Sequence, residues 1–478
     1  MNESDPKLVD LQSVAAEMQR LRGENIRLRC LLQEYGLQIP AVQSTTGIPV
    51  TTNALPSAHI PVLKAEQRIA LFRSLFHGRD DVYAVRWENA DGRYGYMPKA
   101  DRDWKAYLRA KDQDRKKVDR QTRKFRPFTD EVVRGHLVGD HTLGIYPLLQ
   151  DETCWFLAVD FDKKTWQKDA AAFLTVCCEL NVPAALERSR SGNGGHVWIF
   201  FDRAIPATTA RKLGCAILTR AMESRHQLGL DSYDRFFPNQ DTMPKGGLGN
   251  LIALPLQKLP RADGNSVFVD TEFRPYGDQW TFLASVKRMP VSAVEAVVLE
   301  AQRNGDLIGV RIASAEDEVQ DPWTLPPSRK RDRPLPGPFP VQVQIVRANL
   351  LYIEKKGLPC AMLNRLLRLG AFQNPDFYKA QAMRLSTYDK PRVIACGQEF
   401  AQHIAVPRGC LTETLALLEA HKIRPDVRDE RFAGTPIEVE FQGQLRPFQE
   451  QAVAKITAHD DGILCAPTAF GKTAVAAW

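Results

Sequence analysis

Two short runs of this sequence put chemically able residues at the ends of apolar segments. In CWFLAVDFDKK, residues 155–159 are continuously apolar and lead into Asp160 and Asp162. A short apolar run of this kind reads as a buried strand. Side chains alternate across a strand, so the two carboxylates share one face and Phe161 takes the other. Two acids held that closely repel unless a cation sits between them. The second run is AALERSRSGNGGHVWIFF, where a turn containing Ser191, Gly192, Gly194 and Gly195 delivers His196 to the mouth of an apolar strand at 197–201. Glycines let backbone N–H groups close on an anion such as a phosphate, and His196 adds a side-chain donor. Taken alone, a D-x-D is common in loops, and a glycine-rich turn is usually only a tight turn. Together they make a site for phosphoryl or nucleotidyl transfer, with cation-binding acids on one strand and a phosphate-receiving turn on a neighbour.

Further candidates lie around this pair of runs. Within LDSYDRFFPNQDTMPKGGLGNLIALPLQ, Asp234 sits among aromatics and is placed to bring a third carboxylate, although Asp231 and Asp241 compete for the role and an exposed loop acid is the plainer alternative. Asn250 and Lys258 flank an apolar run at 251–256, which reads as another strand, and both are positioned to face a nucleotide. Arg188 and Arg190 are close enough in sequence to assist the glycine turn, or to serve as structural ion pairs. Between Lys99 and Arg126 stand 12 Lys or Arg against 5 Asp, interleaved with Trp104, Tyr107 and Phe125. Such a stretch can neutralise phosphates while its rings stack on bases. The alternative is a solvated helix.

The elements that must position these residues alternate. Residues 165–180 and 208–227 have helical spacing, 183–188 reads as a short strand, and the segment around Asp91 and Gly92 alternates in two runs that signal a hairpin. Strands interleaved with helices imply an α/β or α+β domain whose sheet is covered by helices. We place this domain at 64–300, within an α+β multidomain chain. Before it, residues 8–35 carry a heptad pattern through Leu11, Val14, Met18, Leu21, Asn25, Leu28 and Leu32, read as a coiled coil over 1–38. A Pro-, Thr- and Ser-containing linker follows at 39–63. After it come a proline-rich, charged linker at 315–340, a small helical module at 341–425, and a final segment at 436–478.

Length and composition bound the function. At 478 residues the chain is long enough for two to four domains, and its 44% hydrophobic and 25% charged residues are those of a globular protein. Nine scattered cysteines without a C-x-x-C pair speak for a reducing compartment, and against a disulfide framework or structural zinc. No secretory signal and no apolar stretch approaching the ~20 residues of a membrane span are present, so a cytoplasmic location is expected.

The order DFD, then SGNGGH, then YDRFFPNQD with GNLIALPLQ resembles the three motifs of the archaeo-eukaryotic primase superfamily, and is most similar to the primase of TOTE conflict systems. FRSLFHGRDDVYAVRWE, AFQNPDFYKAQAMRLSTY and HIAVPRGCL are similar to that group as well. The resemblance implies that Asp160, Asp162 and Asp234 bind Mg²⁺ or Mn²⁺, and that His196 contacts the phosphates of an incoming NTP or dNTP. It further implies a single-stranded DNA or RNA template, and a setting in a mobile-element or conflict system. Members of the group carry a cysteine cluster after the first hairpin; here that stretch holds none, so no zinc is expected and Arg and Lys must take over any template contact. The final segment resembles the opening of a superfamily 2 helicase, with Gln449 in QLRPFQEQAVAKI and Gly471, Lys472 and Thr473 in APTAFGKT. It reads as the truncated start of a RecA-like helicase lobe. ATP hydrolysis is therefore not expected of this chain alone, and a helicase encoded downstream is a candidate partner.

Template-dependent nucleotidyl transfer is thus the leading expectation. A metal-dependent nuclease also uses clustered acids but needs no triphosphate cradle, and a non-catalytic nucleic-acid adaptor is the third reading. The heptads predict a homodimer through residues 8–35, with Asn25 on the seam favouring two strands in register. Sedimentation of the chain with residues 1–40 intact should give a dimer at micromolar concentration; a monomer would remove the pairing.

Overall fold

A computed structural model describes residues 63–111, 113–304, 335–432, 434–436 and 438–478. The expected coiled coil, its linker and most of the proline-rich linker lie outside the described residues. The chain falls into two units, one built mainly from the segment up to Ala221 and Arg235–Gln302, the other mainly from Arg303–Ala380 and Thr387–Trp478.

In the first unit the chain runs α1 (Ala65–Leu75), β1 (Ala84–Glu88), β2 (Tyr94–Pro98), β3 (Ala100–Asp101), α2 (Trp104–Arg109), α3 (Arg115–Thr122), β4 (Lys124–Phe125), α4 (Asp130–Val138) and β5 (Leu143–Ile145). It continues through β6 (Thr153–Phe161), α5 (Trp166–Glu179), β7 (Ala185–Arg188), β8 (Gly195–Pro206) and α6 (Ala207–Ser224). Last come β9 (Phe236–Phe237), β10 (Ile252–Ala253), α7 (Lys258–Ala262), β11 (Val267–Val269), α8 (Gln279–Ser285) and α9 (Val291–Asn304). Two sheets result, one in the order β10-β5-β1-β2 and an antiparallel one in the order β11-β7-β8-β6-β9.

The second sheet carries the two runs singled out above, and its centre explains their composition. Phe156, Leu157, Ala158 and Val159 of β6 and Val197, Trp198, Ile199, Phe200 and Phe201 of β8 are all buried, because both faces of these strands are covered. On one face Phe76 of α1 meets Trp198 and Phe200 edge-on at 4.9 and 5.5 Å. On the other, Phe173 of α5 packs against Phe161 at 5.7 Å. The open edge at β11 is closed by the buried Gln279, which accepts from Phe268 N–H at 2.7 Å and donates to its carbonyl at 2.9 Å. Pairing an edge strand with a side chain in this way leaves nothing for another chain to add to.

The expected strands and helices stand close to their observed ends, and the hairpin turns at Gly92, whose φ of 75° is the left-handed value its position requires. The expected strand at 251–256 is shorter and belongs elsewhere. Only Ile252 and Ala253 pair, and they pair with β5 in the four-stranded sheet. Pro255 cannot donate, and Leu256 turns to φ 66°, so the strand stops there.

The second unit holds β12 (Gln342–Arg347), β13 (Leu351–Glu354), α10 (Cys360–Leu369), β14 (Ala371–Gln373), α11 (Pro375–Ala382), β15 (Val393–Ala395), β16 (Gln398–Glu399), β17 (His403–Val406), α12 (Leu411–Ala420), β18 (Arg424–Asp429), α13 (Pro447–Thr457) and α14 (Lys472–Ala477). The small helical module of the sequence reading is thus corrected: a five-stranded sheet in the order β16-β17-β13-β12-β18 forms its centre. Ile345, Ile353 and Ile404 of that sheet are fully buried against Leu366 and Leu418 of α10 and α12. Among the described residues, no helix is long and apolar enough to cross a membrane.

One buried histidine ties the first unit to pH. His136, at the end of α4, donates from Nε2 to the Pro255 carbonyl at 2.9 Å and accepts Leu143 N–H on Nδ1 at 3.1 Å. Burial pushes its imidazole down to about 4, with the Pro255 bond acting weakly the other way. The unfolded chain therefore binds a proton between about pH 6.5 and 4 that the folded chain refuses, and stability falls as pH falls through that window. Wild type should lose about 2 kcal/mol relative to His136→Gln between pH 7 and 5. Denaturant unfolding of both chains at several pH values measures this, and a difference independent of pH would contradict it.

Candidate active site

The antiparallel register sets one row of side chains across the β11-β7-β8-β6-β9 sheet. Glu187 of β7 stands opposite His196 of β8, and His196 stands opposite Asp160 of β6. Directly opposed residues share a face, so the three side chains line up without any further device. Glu187 is 2% exposed. It accepts the His196 Nδ1–H at 2.9 Å and the Trp198 indole N–H at 3.0 Å. With Nδ1 committed, Nε2 of His196 points toward Asp160, 3.7 Å from its Oδ1. Burial on its own would depress the imidazole, but the Glu187 charge and hydrogen bond, with Asp160 behind them, outweigh it and hold His196 above its ordinary value.

Asp162 follows β6 directly and is more open, with its side chain 57% exposed against 29% for Asp160. Phe161 between them is buried on the opposite face, as the alternation requires. Asp162 is paired with the guanidinium of Arg235. The Arg235 carbonyl accepts Asp160 N–H at 3.0 Å, so the residue that caps the acid strand also carries the cation resting on its second carboxylate.

The glycine turn lies against these acids. A Cβ on Gly194 would stand 2.8 Å from the Phe161 carbonyl, closer than a side chain permits, and 3.4 Å from Cα of Asp162. Gly192 has φ 76° and donates to Ser189 at 3.0 Å, closing the turn. Ser191 Oγ bridges Ser189 Oγ and Asn193 N–H, each at 3.2 Å. Arg190 leaves its buried Nε–H without a partner. Tyr96 of β2 borders the same region: burial pushes its phenol up to about 12, against the charges of Arg190 and Arg86.

Other expected residues are engaged elsewhere. Arg188 donates to the carbonyls of Gly264 and Phe273, bracing two loops. Asn250 donates to Phe236 carbonyl and accepts Asn239 N–H, fixing the entry to β9. Lys258 opens α7 beside Gly139. Asp241 pairs with Arg211 and accepts from Gln381, and Asp231 is exposed. Asp234 belongs to the second unit, where its carboxylate accepts Arg392 N–H at 3.1 and 3.3 Å. Among the described residues, no group of three or more His, Cys, Asp or Glu side chains is disposed to hold a metal ion.

The basic stretch folds as two short helices beside the β3–β4 ribbon. Asp119 and Asp101 are spent on Arg102 and Arg126. Trp104 and Leu108 remain more than half exposed, and arginines lie over Trp104, Tyr107 and Phe125 at 5.7, 5.7 and 5.0 Å. In the second unit, Gln449 accepts Arg446 N–H and donates to Phe470 carbonyl, while Lys472 Nζ donates to Ala466 and Pro467 carbonyls at 3.0 and 3.1 Å. Gly471, at φ 87°, leads into α14, and Thr473 is exposed on its first turn.

The sheet thus brings an acid pair, a histidine row and a glycine turn together at one end of its strands. Residues 67–297 match the family model described as the TOTE conflict system, Archaeo-Eukaryotic Primase domain. No curated protein matches the chain.

Glu187 was absent from the sequence reading. Its signal is a lone acid inside an apolar strand, which gains meaning only once residue 196 is known to face it. Glu187→Gln keeps the size but removes the charge, and is expected to lower any His196-dependent activity about 10- to 100-fold, the usual effect of losing such a supporting partner. Glu187→Ala additionally strands two buried N–H groups and should cost about 1–3 kcal/mol of stability. Kinetics and unfolding of both variants test this; full activity in Glu187→Gln would contradict it.

Proposed function

We propose that the first unit is a template-dependent primase-polymerase, which joins NTPs or dNTPs on single-stranded nucleic acid. The observation that carries this reading is the Glu187–His196–Asp160 row with the glycine turn packed against Asp162. The donor set fits a divalent cation: two carboxylates, one already drawing a guanidinium, at a strand end where Gly194 leaves a cradle a Cβ would fill. Asp160 and Asp162 would hold Mg²⁺ or Mn²⁺, which when bound supplies charge for a poor hydroxyl nucleophile and a pyrophosphate leaving group.

Each residue then has a definite task. His196, whose protonated form the Glu187 charge favours, would donate from Nε2 to a phosphate oxygen, and its fixed ring needs no reorganisation as charge shifts there. The unpartnered Arg190 Nε–H, with those N–H groups of the 191–195 turn that are not spent within the turn itself, is a donor for the rest of the triphosphate. Arg235 must leave Asp162 as the cation arrives. The exposed rings and arginines of α2 and α3 are suited to carry the template by stacking and phosphate contact. Asp234 enters only as the expected third carboxylate, which Asp234→Asn tests separately.

A nuclease reading is less well supported, since cleavage makes no use of a triphosphate cradle. Single-stranded template, labelled NTPs or dNTPs and Mg²⁺ or Mn²⁺ should yield new strands with wild type. Asp160→Ala with Asp162→Ala should reduce synthesis at least 1,000-fold (about 4 kcal/mol) while leaving template binding within a few-fold. Template shortening without synthesis, or synthesis surviving in the double variant, would overturn the proposal.

A further inference from the structure

A cavity of about 450 Å³ opens between α1, α4, α7 and α8, and shares no lining residue with the acid and histidine row. Its wall carries three guanidinium groups, Arg68, Arg134 and Arg261, beside Ile69, Leu137 and the indole of Trp280. Arg68 stands two turns along α1 from Phe76, roughly 12 Å at the rise of an α-helix. Phe76 is the residue that packs on Trp198.

The cationic side of this cavity is only weakly compensated, by Glu66 near Arg134 and by Asp278, which feels the charge of Arg68. Arg68 lies over the Trp280 ring with its carbon 5.6 Å from the centroid, and its Nε–H is buried with no hydrogen-bond partner. The nearest acid to feel its charge, Asp278, is already accepting Trp280 N–H, Thr281 N–H and the Thr281 hydroxyl. Arg134 reaches only Glu66, at 3.8 Å. Burial lowers the Arg261 guanidinium, and the charge of Arg68 adds to that. Two like charges facing one cavity repel, and each is a planar fork of N–H donors that matches a phosphate in two bonds at once. The apolar and aromatic remainder of the wall matches a flat ring, and the volume falls within the range of small-ligand sites.

We propose that this cavity binds a nucleoside monophosphate unit, its phosphate held by Arg68 and Arg261 and its base set against Ile69, Leu137 and Trp280. The unit is either a free nucleotide or the phosphate-bearing end of a strand. The assignment does not rest on the polymerase reading, and Arg68 and Arg261 have no part in that machinery.

Binding of AMP, of a 5′-phosphorylated hexathymidylate, of the same oligonucleotide with a 5′-hydroxyl and of inorganic phosphate is measured by calorimetry on the full chain. EDTA is present, so that no cation assists at Asp160 and Asp162. Arg68→Gln with Arg261→Gln should weaken AMP or the phosphorylated strand at least tenfold, whereas Lys212→Gln, which removes an exposed charge on α6, should leave both unchanged. Arg68→Lys with Arg261→Lys, which keeps the charge and guards against misfolding, should restore part of the affinity. Tighter binding of the phosphorylated than of the hydroxyl strand, with weak AMP, assigns the strand end; equal AMP and phosphorylated-strand affinity assigns the free nucleotide. Unchanged affinity for every probe in the glutamine variant would overturn the proposal, as would inorganic phosphate binding as tightly as AMP. Protection of Arg68 and Arg261 from an arginine-specific reagent by the bound probe, mapped by mass spectrometry, gives a second readout confined to the cavity.

Discussion

The buried carboxylate of Glu187 is the constraint around which the five-stranded sheet of the first unit is arranged. A charge so far from water is tolerated only when its lone pairs are filled. Here two ring N–H groups from one strand both meet its Oε2, His196 at the rim and Trp198 one step inward. Trp198 is itself locked between Phe76, Phe156 and Phe200. The carboxylate therefore couples the aromatic interior to the one polar row at the strand ends. His196 cannot rotate away without leaving Glu187 short of a donor, so its outward nitrogen is aimed at Asp160 by the packing of the core.

Around that row the local chemistry changes sign within a few ångströms. Asp160 and Asp162 make one side anionic, and Arg235 rests on the more exposed carboxylate where a metal cation would compete for it. The glycine turn and Arg190 make the other side a field of donors. Each sign is supplied by a strand end or a turn, held by backbone pairing and by residues such as Arg188 and Asn250, whose side chains are spent on carbonyls. The supporting residues are polar for structural reasons, whereas the residues proposed to react stand at the strand ends, Asp162 with Arg235 resting on it.

Much of this was legible in the sequence because it depends on local patterns. The strands around 155–159 and 197–201 are continuous apolar runs, and their paired ends bring Asp160, Asp162 and His196 to one end of the sheet. What could not be read depends on partners distant in the chain. Glu187 in ALER looks like part of any short segment until His196 is set opposite it. Arg188 looks like a phosphate ligand until Gly264 and Phe273 present their carbonyls. The run at 251–256 is apolar enough for a strand, yet Pro255 and the turn at Leu256 limit it to two paired residues in the other sheet. In the second unit QVQIVR alternates with period two, a strand signal that the amphipathic LPCAMLNRLLRL helix beside it overshadowed. The primase family, by contrast, was visible from motif order alone, and its match spans the domain that the strands and helices delimit.

The account turns on Asp160 and Asp162 drawing a divalent cation beside the His196 row. Crystals grown with Mn²⁺ and a non-hydrolysable nucleoside triphosphate, measured at a wavelength where manganese scatters anomalously, locate that cation directly. The account predicts manganese on both carboxylates, with Arg235 displaced from Asp162 and phosphate oxygens within hydrogen-bond distance of His196 Nε2. Manganese bound elsewhere, or a triphosphate seated away from the glycine turn while Arg235 stays on Asp162, would contradict it.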